Sequence, residues 1–190
     1  VMVLLIMKEL EITPRRTMRC VLWTAEEEGL IGAYQYYEDH KANKDNFVWM
    51  IESDSGIFDP LSGIRFDGSG LAKAYMEEIM ELLEPIDATG VEEGASHPDL
   101  GMWDDEIPKG SLDIDRSTYF WYHHTHADTM ELMDKDVMDK ASMVWAASTF
   151  AVANMEHRLP REGAYPVVSG STQATATFGA LWMASLCWLL

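Results

Sequence analysis

The chain has 190 residues, which is enough for one domain with a hydrophobic core. Its apolar fraction of 47% is typical of a globular protein and argues against wholesale disorder. A net charge of −18 gives a surface that repels phosphate groups, so nucleic acid and anionic membrane are not expected partners.

The first segment of the chain is apolar only over residues 1–7 and is followed by Lys8, Glu9 and Glu11. This run is too short for a membrane-spanning helix, and its flanks do not match a signal peptide. The pattern is typical of the end of a buried helix. We therefore expect the chain to be truncated at its N-terminus.

Two strands are predicted in the first third of the chain, and each ends in acidic residues. Residues 17–24 are almost continuously apolar, which is typical of a strand covered on both faces, and they lead into a run of three glutamates. Residues 30–40 have helical spacing. Residues 47–51 form the second predicted strand, which ends just before Asp54.

The second half of the chain contains two predicted helices and one predicted strand. The stretch up to Gly70 is rich in Gly, Pro and Asp and is predicted to be a loop, whereas residues 71–83 have the spacing of an amphipathic helix. Residues 87–118 are predicted to be mostly loop. Residues 119–122 form a short aromatic strand, and a long helix is predicted over residues 134–158.

Buried strands that alternate with helices predict an α/β fold, a three-layer domain with a largely parallel central sheet and flanking helices. In such sheets, functional sites lie beyond the carboxyl ends of the strands. Because the predicted strands end in carboxylates or histidines, we expect these groups to meet at one rim of the sheet. Residues 161–175 are rich in Gly, Ser, Thr and Pro and are predicted to be a linker, and residues 176–190 an apolar tail.

The residue types at this rim would suit a catalytic zinc site. Adjacent carboxylates at Glu26 and Glu27 allow one to bind a metal while the other acts as a base, because successive side chains point apart. His123, His124 and His126 add imidazole nitrogens, which zinc binds together with carboxylate oxygens. Each group also has an ordinary role, since glutamates start helices and histidines are often structural, so the metal hypothesis remains open at this point.

Three motifs in order resemble the C-terminal signatures of the co-catalytic di-zinc aminopeptidase family. They are TAEEEG at residues 24–29, ESD at residues 52–54 and HTHADT at residues 124–129. The resemblance extends over about residues 1–161, so residues 1–160 are predicted to be the C-terminal part of a zinc-peptidase-like domain.

The resemblance implies a role for individual residues and a complete site with two Zn²⁺ ions. Glu26 matches the general base, Glu27 and His124 match ligands of one zinc, and Asp54 matches a ligand of the second. Asp99 resembles part of a loop near the substrate pocket.

Two further ligands of the family come from upstream, namely a histidine in a His-x-Asp motif and an aspartate that bridges both metals. Neither has a counterpart in this sequence. We therefore expect the 190 residues alone to bind zinc weakly and to hydrolyse little.

The predicted function is that of a zinc-dependent metallo-exopeptidase of the carboxypeptidase or dipeptidase type, which hydrolyses short peptides or dipeptides in a secreted or lysosomal setting. One alternative is a non-catalytic, peptidase-like binding module that has lost part of its metal site. Another is a one-zinc hydrolase or glutaminyl cyclase. A homodimer remains open, as does a lipid anchor, since the apolar run 178–190 follows small residues and a polar spacer.

Overall fold

The structure is a computed structural model that describes residues 2–103 and 106–161. Its helices are α1 (Met2–Glu9), α2 (Ile31–His40), α3 (Gly70–Met80), α4 (Tyr119–Tyr122) and α5 (Lys135–Asn154). Its strands are β1 (Met50–Ile51), β2 (Leu61–Asp67), β3 (Gly90–Glu93) and β4 (Lys109–Ile114). The predicted tail and all of the predicted linker except Arg161 lie outside the described residues.

The four strands form one sheet in the order β1-β4-β2-β3. The outer pairs, β1 with β4 and β2 with β3, are parallel, and the central pair, β2 with β4, is antiparallel. The predicted α/β class is confirmed, and the sheet is mixed but mostly parallel.

The main hydrophobic core lies where α3 and α5 pack on the sheet. Its fully buried members include Ile64 and Phe66 from β2, Met76 and Met80 from α3, and Val144 from α5. Burial of each such side chain contributes about 1.5–3 kcal/mol. The two helices with the clearest apolar periodicity thus supply the face that covers the sheet, as predicted, although α3 ends at Met80 and α5 at Asn154.

A second hydrophobic cluster connects α2 to the segment that precedes β4. Trp103 is buried among the rings of Tyr37 and Phe47, with ring centroids 5.1 and 4.7 Å away. Met50 of β1, Leu100 and Ile107 complete the buried part of this cluster. It holds α2 against β1, and the glutamate run lies just before α2 while Asp54 lies just after β1.

The N-terminal part of the chain differs from the prediction. Residues 17–24 form no strand, and Leu22 is 79% exposed. An apolar sequence favours burial, but a strand also needs a neighbour for its backbone N–H and C=O groups, and no strand pairing joins this segment to the described residues. The predicted N-terminal helix is α1, of which Met7 is buried while Leu5 is 51% exposed.

The predicted loops before Gly70 and over residues 87–118 contain three of the four described strands, β2, β3 and β4. These strands carry glycines at close contacts and charged residues such as Arg65 and Asp113, so they lack the apolar alternation that identifies a strand. The prediction of loops was wrong because these glycines and charged residues find their contacts on a neighbouring strand. Those contacts cannot be recognised from the local sequence.

The aromatic stretch 119–122 is the one-turn helix α4 and not a strand. Phe120 and Trp121 are 77% and 70% exposed, so these aromatic side chains do not pack on a sheet face. The strand predicted over residues 47–51 is reduced to β1, because only Met50 and Ile51 pair with β4. Among the described residues, no helix has both the length and the apolar character needed to cross a membrane.

A substitution at Gly63 tests the close contact between the backbones of β2 and β3. Its φ is +153°, and an added Cβ would lie 2.1 Å from the carbonyl oxygen of Gly90. We expect Gly63→Ala to lower the free energy of unfolding by about 2–3 kcal/mol, because the two backbones must separate. Gly70→Ala is the matched control, since no atom lies within 4 Å of its added Cβ. Equal urea midpoints for the two variants would contradict this prediction.

Candidate functional site

Glu26 and Glu27 lie in a tight turn that leads into α2. The amide of Leu30 donates to the carbonyl of Glu26 at 2.7 Å, and the amide of Gly32 donates to the carbonyl of Thr24 at 2.8 Å. A Cβ at Gly32 would lie 2.7 Å from the backbone of Thr24. A glycine is therefore required for α2 to approach the turn and hold both glutamates in place.

His124 follows α4 in the left-handed backbone region, with a φ of 60°. That region is unusual for a residue with a Cβ and commonly marks a functional position. The adjacent Thr125 fixes the turn, because its amide and its hydroxyl both donate to the carbonyl of Tyr122, at 2.9 and 2.7 Å.

The structure brings Glu27 and His124 into direct contact. Nε2 of His124 lies 2.6 Å from Oε2 of Glu27, although the two residues are 97 positions apart in the sequence. Both side chains are 60% exposed, so the pair is accessible from solvent. Two side chains that bind the same metal ion are expected to lie close together in this way.

Glu26 and Asp54 belong to the same acidic group. Partial desolvation raises the pKa of the Glu26 carboxyl, and the negative charges of Asp54 and Glu27 raise it further, while His124 lowers it. Asp54 is exposed and follows β1. Glu26 therefore interacts electrostatically with Glu27, Asp54 and His124, the three residues that the resemblance predicts as metal ligands.

Two further carboxylates lie beneath this group. Asp99 is 1% exposed and Glu52 is 7% exposed, and among the described residues neither oxygen of Glu52 nor Oδ1 of Asp99 has a hydrogen-bond partner. Burial raises the pKa of Asp99 to about 6, and the charges of Glu26 and Asp54 contribute.

Glu52 has the larger shift. Burial raises its pKa to about 8, with contributions from the charges of Asp99 and Asp54. The backbone amides of Asp99 and Leu100 face the carboxylate and oppose the rise, but neither reaches it with hydrogen-bond geometry. No ligand role was predicted for Glu52, although it lies only two residues before Asp54, at the same end of the strand.

Tyr119 is a site residue that sequence reasoning missed, because α4 was predicted as a strand. Its hydroxyl donates to the backbone carbonyl of Asp54 at 3.4 Å. Its ring stacks on His123 at 4.6 Å, and the ring of His123 stacks on that of His124 at 3.7 Å. The spacing of four between Tyr119 and His123, typical of one helical face, was the available signal.

The donor types in this group suit zinc, but their number is small. Imidazole nitrogen and carboxylate oxygen are zinc ligands, and two such atoms on one tetrahedral zinc lie about 3.3 Å apart. Glu27 and His124 are closer than that and would separate slightly around an ion. Within the described parts of the chain, no set of three or more His, Cys, Asp or Glu residues is arranged to hold a metal.

Comparison with known proteins identifies the relatives of this chain. The family model described as Peptidase family M28 matches residues 1–149. Carboxypeptidase Q from Bos taurus and from Homo sapiens are each 46% identical over 157 residues. That alignment covers 82% of this chain and 33% of each relative, so the chain spans about a third of their length.

A solved structure supports the same relationship. The crystal structure of a Peptidase M28 precursor from Shewanella amazonensis superimposes with a TM-score of 0.68 and 32% sequence identity. The match covers 77% of this chain and 34% of that protein. The predicted family resemblance is confirmed.

The buried carboxylate of Glu52 predicts a specific pH dependence of stability. Its pKa of about 8 in the folded chain lies above the ordinary value of 4.5, so the folded state binds this proton more tightly than the unfolded state. The resulting stabilisation is fully present below pH 4.5 and is lost as the pH rises through about 8. In metal-free protein, we expect Glu52→Gln to be more stable than wild type by about 1–3 kcal/mol at pH 8.5.

The same comparison near pH 5 should show a much smaller difference, because Glu52 is then largely protonated in the folded chain. Glu78→Gln on the exposed face of α3 is the matched control, and its profile should follow wild type. Urea unfolding at both pH values measures the effect. A constant difference between Glu52→Gln and wild type at the two pH values would contradict the assignment.

Proposed function

Because this chain belongs to peptidase family M28, we propose that it carries part of the active site of a zinc-dependent metallo-exopeptidase that hydrolyses short peptides or dipeptides. The observation that carries the proposal is the contact of 2.6 Å between Glu27 and His124. Glu26 interacts electrostatically with Asp54, and it also interacts with both Glu27 and His124.

Glu27 and His124 would hold one zinc ion, and Asp54 would contribute to a second. Zinc, when bound, polarises the carbonyl of a peptide bond and lowers the pKa of a water molecule. The described residues supply only part of the ligand set, so two ions in a complete site would need further ligands.

Glu26 would accept a proton from the attacking water and return it to the departing amine. A general base works best when its pKa is close to the working pH. The pKa of Glu26 is raised by partial desolvation and by the neighbouring charges of Asp54 and Glu27, which is a shift in that direction. The turn that begins at Thr24 fixes the position of this carboxylate relative to Glu27.

The alternative of a non-catalytic binding module has one observation in its favour, the small number of metal donors that converge among the described residues. The enzyme is favoured by the position of Glu26, the candidate base, directly beside Glu27, which is in contact with His124. A secreted or lysosomal location is proposed from the family resemblance alone. The proposed lipid anchor lies outside the described residues.

The decisive variant is Glu26→Gln. We expect it to lower kcat for dipeptide hydrolysis by about 10²- to 10⁴-fold, because the amide cannot accept the proton, while zinc content stays unchanged. Glu28→Gln is the matched control, since Glu28 is exposed in the same turn and is given no catalytic role. Hydrolysis is measured on the 190-residue chain and on a form extended upstream.

Comparison of the 190-residue chain with the extended form tests the partial metal site separately from the catalytic role of Glu26. The extended form should hydrolyse dipeptides, and the 190-residue chain should bind zinc weakly and show little activity. Tight binding of two zinc ions by the 190-residue chain would contradict the expectation of a partial site. An extended enzyme with the same kcat in wild type and Glu26→Gln would refute the mechanism.

A further inference from the structure

A small cleft opens beside Asp54, where the end of β1 meets the end of β4. Its lining includes Ser55, which follows Asp54, together with Ser111 of β4. Two arginines, Arg65 and Arg116, also line it. A cleft with two guanidinium groups next to a concentration of carboxylates requires an explanation, because the local charge is otherwise strongly negative.

Arg65 has a structural role. Its Nε donates to the carbonyl of Gly94 at 2.8 Å, one terminal nitrogen donates to the carbonyl of Glu93 at 2.7 Å, and the other pairs with Asp113 at 3.1 Å. Each nitrogen of this guanidinium is therefore engaged in joining β2 to its two neighbours in the sheet. Arg65 has little capacity left for a ligand.

Arg116 differs in its surroundings. It is exposed, and one terminal nitrogen donates to Oγ of Ser55 at a long 3.4 Å. Among the described residues it makes no ion pair with a carboxylate. Within the described parts of the chain, most of its N–H groups therefore have no partner, and they lie at the edge of the cleft that contains Asp54.

The backbone around Arg116 is fixed although its side chain is exposed. The carboxylate of Asp115 accepts hydrogen bonds from the amide and the hydroxyl of Ser117, at 2.8 and 2.7 Å. The amide of Tyr119 donates to the carbonyl of Arg116 at 3.2 Å. This turn connects β4 directly to α4, so Arg116 keeps its position relative to His124.

We propose that Arg116 binds the free carboxylate of a peptide substrate and so selects peptides that end close to the bond to be cleaved. The inference rests on the proposed function. A guanidinium presents parallel N–H donors that match the two oxygens of a carboxylate. In the metal-free chain, Glu26, Glu27 and Asp54 would repel the charged end of a peptide if this cation were absent.

The competing explanation is that Arg116 is a solvated surface residue that only moderates the acidic field. Both explanations predict weaker binding of anions after its removal. They differ in what they predict for the wild type. Acidic surroundings favour the dipeptide amide over the free dipeptide, and only a specific carboxylate site reverses that preference. A dipeptide amide keeps its ammonium group but has an uncharged C-terminus, so an acidic site without a dedicated cation binds it better than the corresponding free dipeptide.

The test is an NMR titration of the full 190-residue chain with glycylglycine and with glycylglycinamide. The Nε–H resonance of Arg116 is assigned by its absence in Arg116→Lys. We expect wild type to bind glycylglycine about tenfold more tightly than the amide, with a shift of the Arg116 resonance. Arg116→Ala should bind the amide at least as tightly as the acid.

Arg116→Lys should retain part of the preference, because a lysine keeps the charge but not the paired donors. Arg15→Ala is the control for loss of an exposed arginine elsewhere, and it should behave as wild type. Equal binding of acid and amide by wild type, or an unchanged preference in Arg116→Ala, would overturn the inference.

This measurement does not depend on catalysis. If the extended enzyme fails to hydrolyse dipeptides while the preference for the free carboxylate follows Arg116, the proposed function fails and the carboxylate site stands. If hydrolysis depends on Glu26 but the acid and the amide bind equally, the carboxylate site fails and the proposed function stands.

Discussion

The contact between Oε2 of Glu27 and Nε2 of His124 joins two segments that are remote in the sequence, and the candidate site depends on it. Neither residue lies within a regular strand. Glu27 is held by a turn that packs against the start of α2, where Gly32 permits the close approach. His124 is held in a left-handed conformation directly after α4. The arrangement therefore relies on the packing that fixes these two helices, the aromatic cluster around Trp103 for α2 and the turn at Asp115 for α4.

Charge opposes this arrangement in the absence of a cation. Glu26, Glu27 and Asp54 lie near the surface, while Glu52 and Asp99 are buried below them without full hydrogen bonding among the described residues. Like charges at short range and unpaired buried carboxylates both lower stability. A fold that retains such a group is expected where its function requires the charge, and a bound cation would relieve the repulsion.

The sequence predicted some parts of this protein better than others. The helices α3 and α5 were predicted because their apolar residues recur with a helical period and pack on the sheet. The strands β2 and β4 were missed, since the identity of a strand depends on neighbours that the local sequence does not contain. Gly63 illustrates this, because its conformation only makes sense next to Gly90 on β3.

The candidate site was more predictable than the sheet around it. Glu27 and His124 were placed together by motif and are in contact, while their role as metal ligands stays a prediction. Asp99 was expected near the site, and its charge interacts with Glu26 and Asp54. Tyr119 could not be found while α4 was predicted as a strand. A motif can identify residues that lie together in one site. The helices and strands that hold those residues depend on long-range packing, which the motif does not contain.

The most direct test of this account is the zinc K-edge X-ray absorption spectrum of the 190-residue chain, loaded with less than one equivalent of zinc at high protein concentration. We predict a first shell of nitrogen and oxygen, with imidazole scattering that is present in wild type and in His126→Ala but is lost in His124→Ala. Imidazole scattering that persists unchanged in His124→Ala would show that zinc is held elsewhere and would contradict the central claim.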